Sequence, residues 1–217
     1  MLYDEQLAFK DGTYLWFFHS LPRFSEDLDF TAVKQPSSKI LAKVSEGLNL
    51  FGVTNEARME SDDNKSLSFK IMAHGPLYTN QNSRCVVYIE ISKREKVIRR
   101  AIPLRLDLPE YQLPVRILMG MDLDEVAAEK IRAIMSRIKA RDVYDLYYLI
   151  KTKNVKFNRE LVEAKLEYIG KNFSPEGFMD ALNSKSEIFE KELSGMVFRP
   201  LPSFEEASDI IGRWSGI

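Results

Sequence analysis

Hydrophobic patterning in the first 120 residues predicts a sheet with two helices. Short apolar runs and stretches in which apolar and polar residues alternate predict strands in EQLAF, EDLDF, SLSFKIMAH, SRCVVYIEISKRE and LPVRILMG. Apolar residues at helical spacing predict a short buried helix in TYLWFFHSL and a second helix over 37–51, with Ser37 as its cap. The polar run ESDDNKS predicts a turn.

After about residue 120 the pattern becomes helical. Apolar residues recur every three or four positions in five segments: 122–139, 140–152, 159–170, 175–193 and 204–214. Asp122 and Glu125 have the spacing of a capping box, with Asp in place of Ser or Thr. SGMVFRPLPS predicts an extended connector. We therefore predict an α+β chain, in which a mixed β-sheet core with flanking helices, residues 1–120, precedes a helical C-terminal domain, residues 121–217.

Composition narrows the class of protein. A chain of 217 residues with 45% hydrophobic and 29% charged residues is typical of a globular protein. A net charge of −1 means that nucleic-acid binding requires a local basic patch. The single cysteine, Cys85, excludes a disulfide framework and favours a reducing cytosol, and its apolar surroundings predict a core position. No apolar stretch approaches the roughly 20 residues that cross a bilayer, and the N-terminus lacks a signal-peptide layout, so we predict a cytoplasmic protein without a membrane segment.

Two short motifs near the N-terminus suggest a phosphate and metal site. Asp27 and Asp29 lie two residues apart on a predicted strand, so their carboxylates share a face and need a counter-charge such as a divalent cation. Gly12 and Thr13 lie between a strand and a helix N-terminus, where backbone amides favour phosphate. A solvated strand end and a simple turn are the respective alternatives. Together the motifs provide ligands for Mg²⁺ and donors for a triphosphate.

Glu90 offers a third carboxylate. In CVVYIEIS, Val87 and Ile89 share one face of the predicted strand with Ile91, and Glu90 lies on the other. An acid within an apolar strand is costly unless something pairs with it. It is either a third acid, which binds a second metal or activates an attacking hydroxyl, or half of a salt bridge with Lys70 on the neighbouring strand.

A basic and acidic segment follows in AAEKIRAIMSRIKARDVYDLYYL. Lys130, Arg137 and Arg141 fall at i, i+7 and i+11, within about 40° of one another on a continuous helix. If the helix breaks before Asp142, Arg141 leaves this stripe but stays close. Asp142 and Asp145 can each hold an arginine. A solvated charged helix face is the alternative.

These segments together resemble the AbiEii/AbiGii-type nucleotidyltransferases, toxins of two-gene toxin–antitoxin and phage-defence systems in the DNA polymerase β-like superfamily. The resemblance rests on KDGTYLWFFHSLPRFSEDLDF, SFKI, YIEISKRE and EKIRAIMSRIKARDVYDLYYL and covers about residues 9–150. It implies Mg²⁺-dependent transfer of an NMP from an NTP to an acceptor hydroxyl, with pyrophosphate leaving. The acceptor is tRNA or other RNA in some members, and an antitoxin is the implied protein partner.

The resemblance also implies roles for individual residues. It implies a metal-binding set formed by Asp27, Asp29 and Glu90. Lys130, which would neutralise the triphosphate, and Asp142, of the RD motif, join these acids in the catalytic set. In the implied nucleotide-binding set, Gly12 and Thr13 hold the phosphates, and Arg23 and Ser25 brace the loop. The other members of this set are Lys70, Arg137 and Arg141.

Departures from the family pattern support one alternative, and the Gly-Ser and D-x-D motifs shared with another class of nucleotidyltransferase support a second. The family's Gly-Gly-Thr is here Asp11-Gly12-Thr13, which places a negative charge near the phosphate loop, and Glu90 stands where Asp is commoner. One alternative is therefore a nucleotide-binding or partner-binding protein of this fold without transfer activity. The other is a small-molecule nucleotidyltransferase of the antibiotic-modifying kind. For an RNA acceptor the candidate basic patch is SKREKVIRR, and the alternative is a plain exposed turn. The cations of this patch are Lys93, Arg94, Lys96, Arg99 and Arg100.

Overall fold

The computed structural model describes residues 6–216, which contain one seven-stranded sheet and eight α-helices. The strands are β1 (Leu7–Lys10), β2 (Leu28–Ala32), β3 (Asn55–Asp62), β4 (Ser66–Ala73), β5 (Cys85–Ser92), β6 (Ile102–Leu106) and β7 (Arg116–Gly120). Their order across the sheet is β3-β4-β5-β2-β1-β7-β6. The β2–β5 and β1–β7 pairs are parallel and the other neighbours are antiparallel, so the predicted mixed sheet is confirmed.

The helices account for most of the second half of the chain. They are α1 (Asp11–His19), α2 (Ile40–Leu50), α3 (Leu123–Ser136), α4 (Ala140–Lys153), α5 (Arg159–Glu167), α6 (Pro175–Asn183), α7 (Ser186–Leu193) and α8 (Phe204–Ser215). Two compact units divide the described residues. The sheet unit contains 6–14, 25–97 and 101–120, and the helical unit contains 15–24, 98–100 and 121–216. None of the helices within 6–216 combines the length and apolar character that crossing a bilayer requires.

The core of the sheet unit lies between α2 and one face of the sheet. Alternation along β4 and β5 places their apolar residues on this face, where they pack around Ile40 of α2: Leu67, Phe69, Ile71, Ile89 and Ile91. The polar residues between them, including Lys70 and Glu90, therefore point to the opposite face. This separation of an apolar face from a polar face positions the candidate site.

Two strands were not predicted, and one residue lies elsewhere than expected. β3 includes the first residues of ESDDNKS, so the turn is shorter than predicted. Asp63 closes this turn, because its carboxylate accepts hydrogen bonds from the backbone N–H groups of Lys65 and Ser66 at 2.7 and 2.9 Å. β6 is an edge strand, where the missing N–H of Pro103 is tolerated. The prediction that Cys85 is a core residue is wrong, because this first residue of β5 is exposed.

The helical unit differs from the predicted helices in two places. α3 ends at Ser136, and Arg137 is extended, with φ −143° and ψ 159°, before α4 begins. The helix predicted over 175–193 is divided into α6 and α7. At this division the buried Lys185 donates to the carbonyls of Ile134 and Ala181 at 2.6 and 2.5 Å, which satisfies acceptors near the ends of α3 and α6.

The predicted cap of α3 is present. The Asp122 carboxylate accepts from the backbone N–H of Asp124 and Glu125 at 3.0 and 3.3 Å. Glu125 does not complete a capping box. Instead, its fully buried carboxylate accepts from the backbone N–H of Ile98 and Arg99 at 2.9 and 2.8 Å, which holds segment 98–100 within the helical unit.

Candidate active site

Neighbouring strands of the sheet unit bring carboxylates together on one face. Asp29 on β2 is the direct neighbour of Glu90 on β5, and Glu90 pairs in turn with Ser68 on β4. Asp27 immediately precedes β2 and shares the face of Asp29. These side chains line one cleft with a volume of about 260 Å³. The structure therefore brings the three predicted metal-binding acids into a single site.

Glu60 is a fourth acid of this cleft and was missed by sequence reasoning. On β3, Met59 lies opposite Phe69 of β4, whereas Ser61 lies opposite Ser68, so Glu60 is the extra residue of a β-bulge. Bulges near active sites commonly re-aim a side chain, and this one adds a carboxylate to the polar face. The only sequence signal was the acidic composition of a segment interpreted as a turn.

Lys70 pairs with this unexpected acid. Its Nζ donates to Glu60 at 2.8 Å, and this hydrogen bond lowers the pKa of the Glu60 carboxyl. The candidate salt bridge between Lys70 and Glu90 does not form. Glu90 makes no ion pair with any residue of 6–216, and it is exposed, so its charge stays hydrated. The desolvation free energy of the Glu90 carboxylate is therefore smaller than its position between apolar residues in the sequence suggests.

The oxygen ligands that line the cleft suit a cation. Asp27, Asp29, Glu60 and Glu90 contribute four carboxylates, and Lys70 is paired with one of them. Carboxylates in such proximity repel one another unless a positive charge intervenes. Mg²⁺ prefers hard oxygen ligands from one or two carboxylates together with substrate phosphates. The donor set of the cleft thus fits the metal that the sequence implied.

The predicted phosphate loop also fixes the approach to β2. The buried Thr13 hydroxyl donates to the carbonyl of Asp27 at 2.6 Å and lies 3.0 Å from the Ser25 hydroxyl. Thr13 and Ser25 therefore brace the segment that carries Asp27. Asp11, where the family has glycine, has φ 63°, a left-handed conformation that glycine adopts freely and aspartate tolerates better than most residues.

Several other predicted site residues lie in the helical unit, where they form one ionic network around two buried aspartates. Arg23 donates two hydrogen bonds to the Asp145 carboxylate, at 2.6 and 2.7 Å. Lys130 lies 2.8 Å from Asp145 and 3.4 Å from Asp142. Arg137 binds Asp142 in a bidentate manner, at 2.7 and 2.9 Å. Both aspartates are fully buried, so their charges depend on these partners.

The charges of the neighbouring cations decide the protonation of the buried Asp145. Burial by itself would raise the pKa of Asp145, but the charges of Arg23 and Lys130 outweigh it and lower that pKa. Because α3 ends before Arg137, the predicted stripe does not lie on one helix. Arg141, on α4, makes no ion pair with residues in 6–216. What these cations contribute to nucleotide binding stays a prediction.

The candidate RNA patch SKREKVIRR is partly neutralised by nearby acids. Lys93 pairs with Asp62 in the sheet unit. Arg99 pairs with Asp122 and Asp124 in the helical unit, at 3.2 and 2.8 Å. These two cations have local partners, which favours the plain exposed turn over an RNA surface.

Comparisons with known proteins identify the family and the fold of the chain. The family model of the nucleotidyl transferase AbiEii toxin of type IV toxin–antitoxin systems matches residues 1–209. Among solved structures, JHP933 from Helicobacter pylori is similar with a TM-score of 0.60 and 20% identity, over 99% of this chain and 84% of that chain. The nucleotidyltransferase toxin MenT4 from Mycobacterium tuberculosis H37Rv is similar with a TM-score of 0.68 and 21% identity, over 97% of this chain and 74% of that chain.

At such identities the two structures show a common fold, which confirms the predicted nucleotidyltransferase-like architecture. No curated protein matches the chain significantly in sequence. The family match, however, spans nearly the whole chain. This protein therefore belongs to the AbiEii nucleotidyl transferase toxin family and is a nucleotidyltransferase.

Proposed function

We propose that the protein transfers an NMP from an NTP to a hydroxyl of an RNA acceptor, tRNA included, in an Mg²⁺-dependent reaction. The observation that carries the proposal is the pairing of Asp29 with Glu90 across β2 and β5, with Asp27 in the same cleft. Asp27, Asp29 and Glu90 are the proposed metal ligands. A cytoplasmic toxin of this kind has an antitoxin protein as its proposed partner.

The chemistry is an in-line displacement. The acceptor oxygen attacks the α-phosphorus, the bond between this phosphorus and the bridging oxygen breaks, and pyrophosphate leaves. Bound Mg²⁺ supplies charge stabilisation for the attacking and leaving oxygens. The exposed Glu90 has no competing ion pair within 6–216 and is available to take the proton of the acceptor hydroxyl.

The surrounding residues position these groups. Thr13 and Ser25 hold the segment before β2, so that Asp27 keeps its place in the cleft. Gly12 and Thr13 present the N-terminal amides of α1 to phosphate. Lys70 is the proposed cation for the triphosphate, and it must exchange its contact with Glu60 to act in this way. Lys130, Asp142, Arg23, Arg137 and Arg141 complete the proposed set.

The test is incubation of purified protein with each α-³²P-labelled NTP, Mg²⁺ and total cellular RNA. The double variant Asp27→Ala/Asp29→Ala is expected to lose labelling, and Asp107→Ala, an exposed acid paired with Arg105 outside the cleft, is expected to retain it. Label on a discrete RNA with this pattern supports the proposal and identifies both substrates. Label that survives the double substitution contradicts the proposed site.

Asp11 favours a second candidate function, a nucleotide-binding or partner-binding protein without transfer activity. Its carboxylate stands at the start of α1, where phosphate binding requires donors. This candidate predicts NTP binding without release of pyrophosphate. Any pyrophosphate released by the wild type and lost in Asp27→Ala/Asp29→Ala excludes it.

A further inference from the structure

The helical unit carries three exposed aromatic side chains and the partly buried Trp16, which together are called the aromatic patch: Trp16, Phe17, Phe24 and Phe198. The Trp16 ring centroid lies 5.4 Å from that of Phe17 and 5.8 Å from that of Phe24. Phe17, Phe24 and Phe198 are 52, 42 and 64% exposed. Aromatic rings exposed to this degree next to one another are costly in water and commonly mark a binding surface.

A short two-stranded ladder fixes this patch. The Phe24 N–H donates to the Met196 carbonyl at 2.8 Å, and the Phe198 N–H donates to the Pro22 carbonyl at 2.9 Å. Between them, Arg23 pairs with Val197 and turns its side chain inward to the buried carboxylate of Asp145. Because side chains alternate along an extended backbone, Phe24 and Phe198 point outward. The buried ion pair thus anchors the exposed rings.

Two cations without carboxylate partners lie in the same region. Arg199 directly follows Phe198, and its charge opposes the rise in the pKa of Tyr148 that burial causes. Lys153 Nζ lies 5.8 Å from the centre of the Tyr148 ring. The Tyr148 hydroxyl donates to the carbonyls of His19 and Ser20, at 2.8 and 2.9 Å, at the end of α1. Within 6–216 neither Lys153 nor Arg199 forms an ion pair, in contrast to Lys93 and Arg99 of SKREKVIRR.

We propose that the aromatic patch, with Lys153 and Arg199, binds a single-stranded stretch of the acceptor RNA. Bases stack on exposed aromatic rings regardless of sequence, and unpaired cations attract the phosphates between the bases. An apolar protein partner explains the rings but gives no role to two unpaired cations. The inference rests on the proposed transfer to RNA, and Phe24 stands three residues before Asp27 in the chain.

The test is a fluorescence anisotropy titration of the full chain against a labelled oligouridylate of about 12 nucleotides. Phe17→Ala and Phe198→Ala are expected to weaken binding by about 5- to 150-fold each, the loss expected for one stacked base. Tyr111→Ala, which removes an aromatic ring 69% exposed in the sheet unit, is the matched control and is expected to leave binding within about twofold.

The cations are tested by salt dependence. Arg199→Ala is expected to reduce the slope of log Kd against log salt by about 0.7, the value for one phosphate contact on a single strand. Lys191→Ala, which removes another exposed cation of the helical unit, is expected to leave the slope unchanged. Thermal melting of each variant shows that the fold is intact, which the exposure of these side chains favours.

Two outcomes separate this inference from the proposed function. Asp27→Ala/Asp29→Ala is expected to bind the oligonucleotide as the wild type does, although it loses transfer. Equal binding by the wild type, Phe17→Ala and Phe198→Ala overturns the inference, even where transfer to RNA persists. Loss of antitoxin binding in Phe17→Ala and Phe198→Ala, with RNA binding retained, also overturns it and assigns the patch to a protein partner.

Discussion

Asp29 and Glu90 lie side by side on neighbouring parallel strands, β2 and β5, with their carboxylates on the same face. Like charges in directly opposed positions destabilise a sheet, in which favourable cross-strand pairs contribute about 0.2–1 kcal/mol each. Glu90 has no ion pair within 6–216 to offset this repulsion. The direct juxtaposition of these two carboxylates is an arrangement that suits the binding of a cation.

Glu90→Gln is expected to change stability and activity in opposite directions. In metal-free buffer the free energy of unfolding should rise by about 0.2–1 kcal/mol, because a like-charge contact is removed. NMP transfer should fall by about a hundredfold or more, because the substitution removes a proposed metal ligand. Urea denaturation in EDTA and the RNA-labelling assay measure the two effects.

Glu56→Gln is the control for this substitution. Glu56 lies on β3, outside the cleft, and pairs with Arg84 at 2.9 Å. Its substitution removes a favourable contact, so the free energy of unfolding should stay constant or fall slightly. A fall in the free energy of unfolding of Glu90→Gln, rather than a rise, would show that Glu90 has a stabilising partner.

Asp145→Asn is expected to destabilise the helical unit strongly. The buried carboxylate accepts two hydrogen bonds from Arg23 and lies 2.8 Å from Lys130, so its neutralisation leaves two buried cations poorly compensated. Breaking such a pair costs about 3–5 kcal/mol. Chemical denaturation followed by circular dichroism measures the change.

The exposed pair of Arg159 with Glu163 provides a matched comparison. Its N–O distance is 2.7 Å, almost the same as the 2.6 Å between Arg23 and Asp145, but both side chains are solvated. Glu163→Gln should therefore cost only about 0.5 kcal/mol or less. Equal losses in the free energy of unfolding from Asp145→Asn and Glu163→Gln would contradict the expectation that burial makes the Arg23–Asp145 pair costlier to break.

The sequence allowed prediction of those parts of the site that depend on local pattern. The alternation in SLSFKIMAH and CVVYIEIS fixes which side chains share a face, and hence that Glu90 points away from the core. The spacing of Asp27 and Asp29 fixes their common direction in the same way. Nothing in these local patterns required the strand order, yet the parallel pairing of β2 and β5 makes Asp29 and Glu90 neighbours.

The features that were missed depend on tertiary contacts. Glu60 enters the cleft through a bulge in the pairing of β3 with β4, and the short polar–apolar alternation of EARME ends at this bulge. The end of α3 at Ser136 was missed as well, because no glycine or proline marks it. There Arg137 leaves the helix and binds Asp142, a contact between residues of separate helices.

Gly120→Ala is expected to destabilise the sheet unit by overpacking. A Cβ atom at this position would lie 2.4 Å from Leu104 Cδ1 and 2.6 Å from Tyr14 Cε2. Forcing a methyl group into such a site typically costs about 1–3 kcal/mol.

Gly47→Ala is the control, since a Cβ there meets nothing within 4 Å and the residue lies within α2. It should stabilise the protein by about 0.5–1 kcal/mol, because alanine favours a helix. Thermal and urea unfolding of both variants check the opposite signs.

His19 is expected to make stability depend on pH. Burial, followed by the charge of Lys153, lowers the pKa of His19 from 6.5 to about 4. Above pH 6.5 the imidazole is neutral in both states, so the full stability is present. As the pH falls from 6.5 toward 4, the unfolded chain takes up a proton that the folded protein does not, so stability declines.

His19→Gln should remove this part of the pH dependence. The loss attributable to His19 is at most about 3 kcal/mol and is reduced by the solvation of part of the ring. Urea denaturation at about pH 7.5 and about pH 5 measures it as the difference between the wild type and His19→Gln. A pH dependence in His19→Gln equal to that of the wild type would show that other groups, such as the buried carboxylates, are responsible.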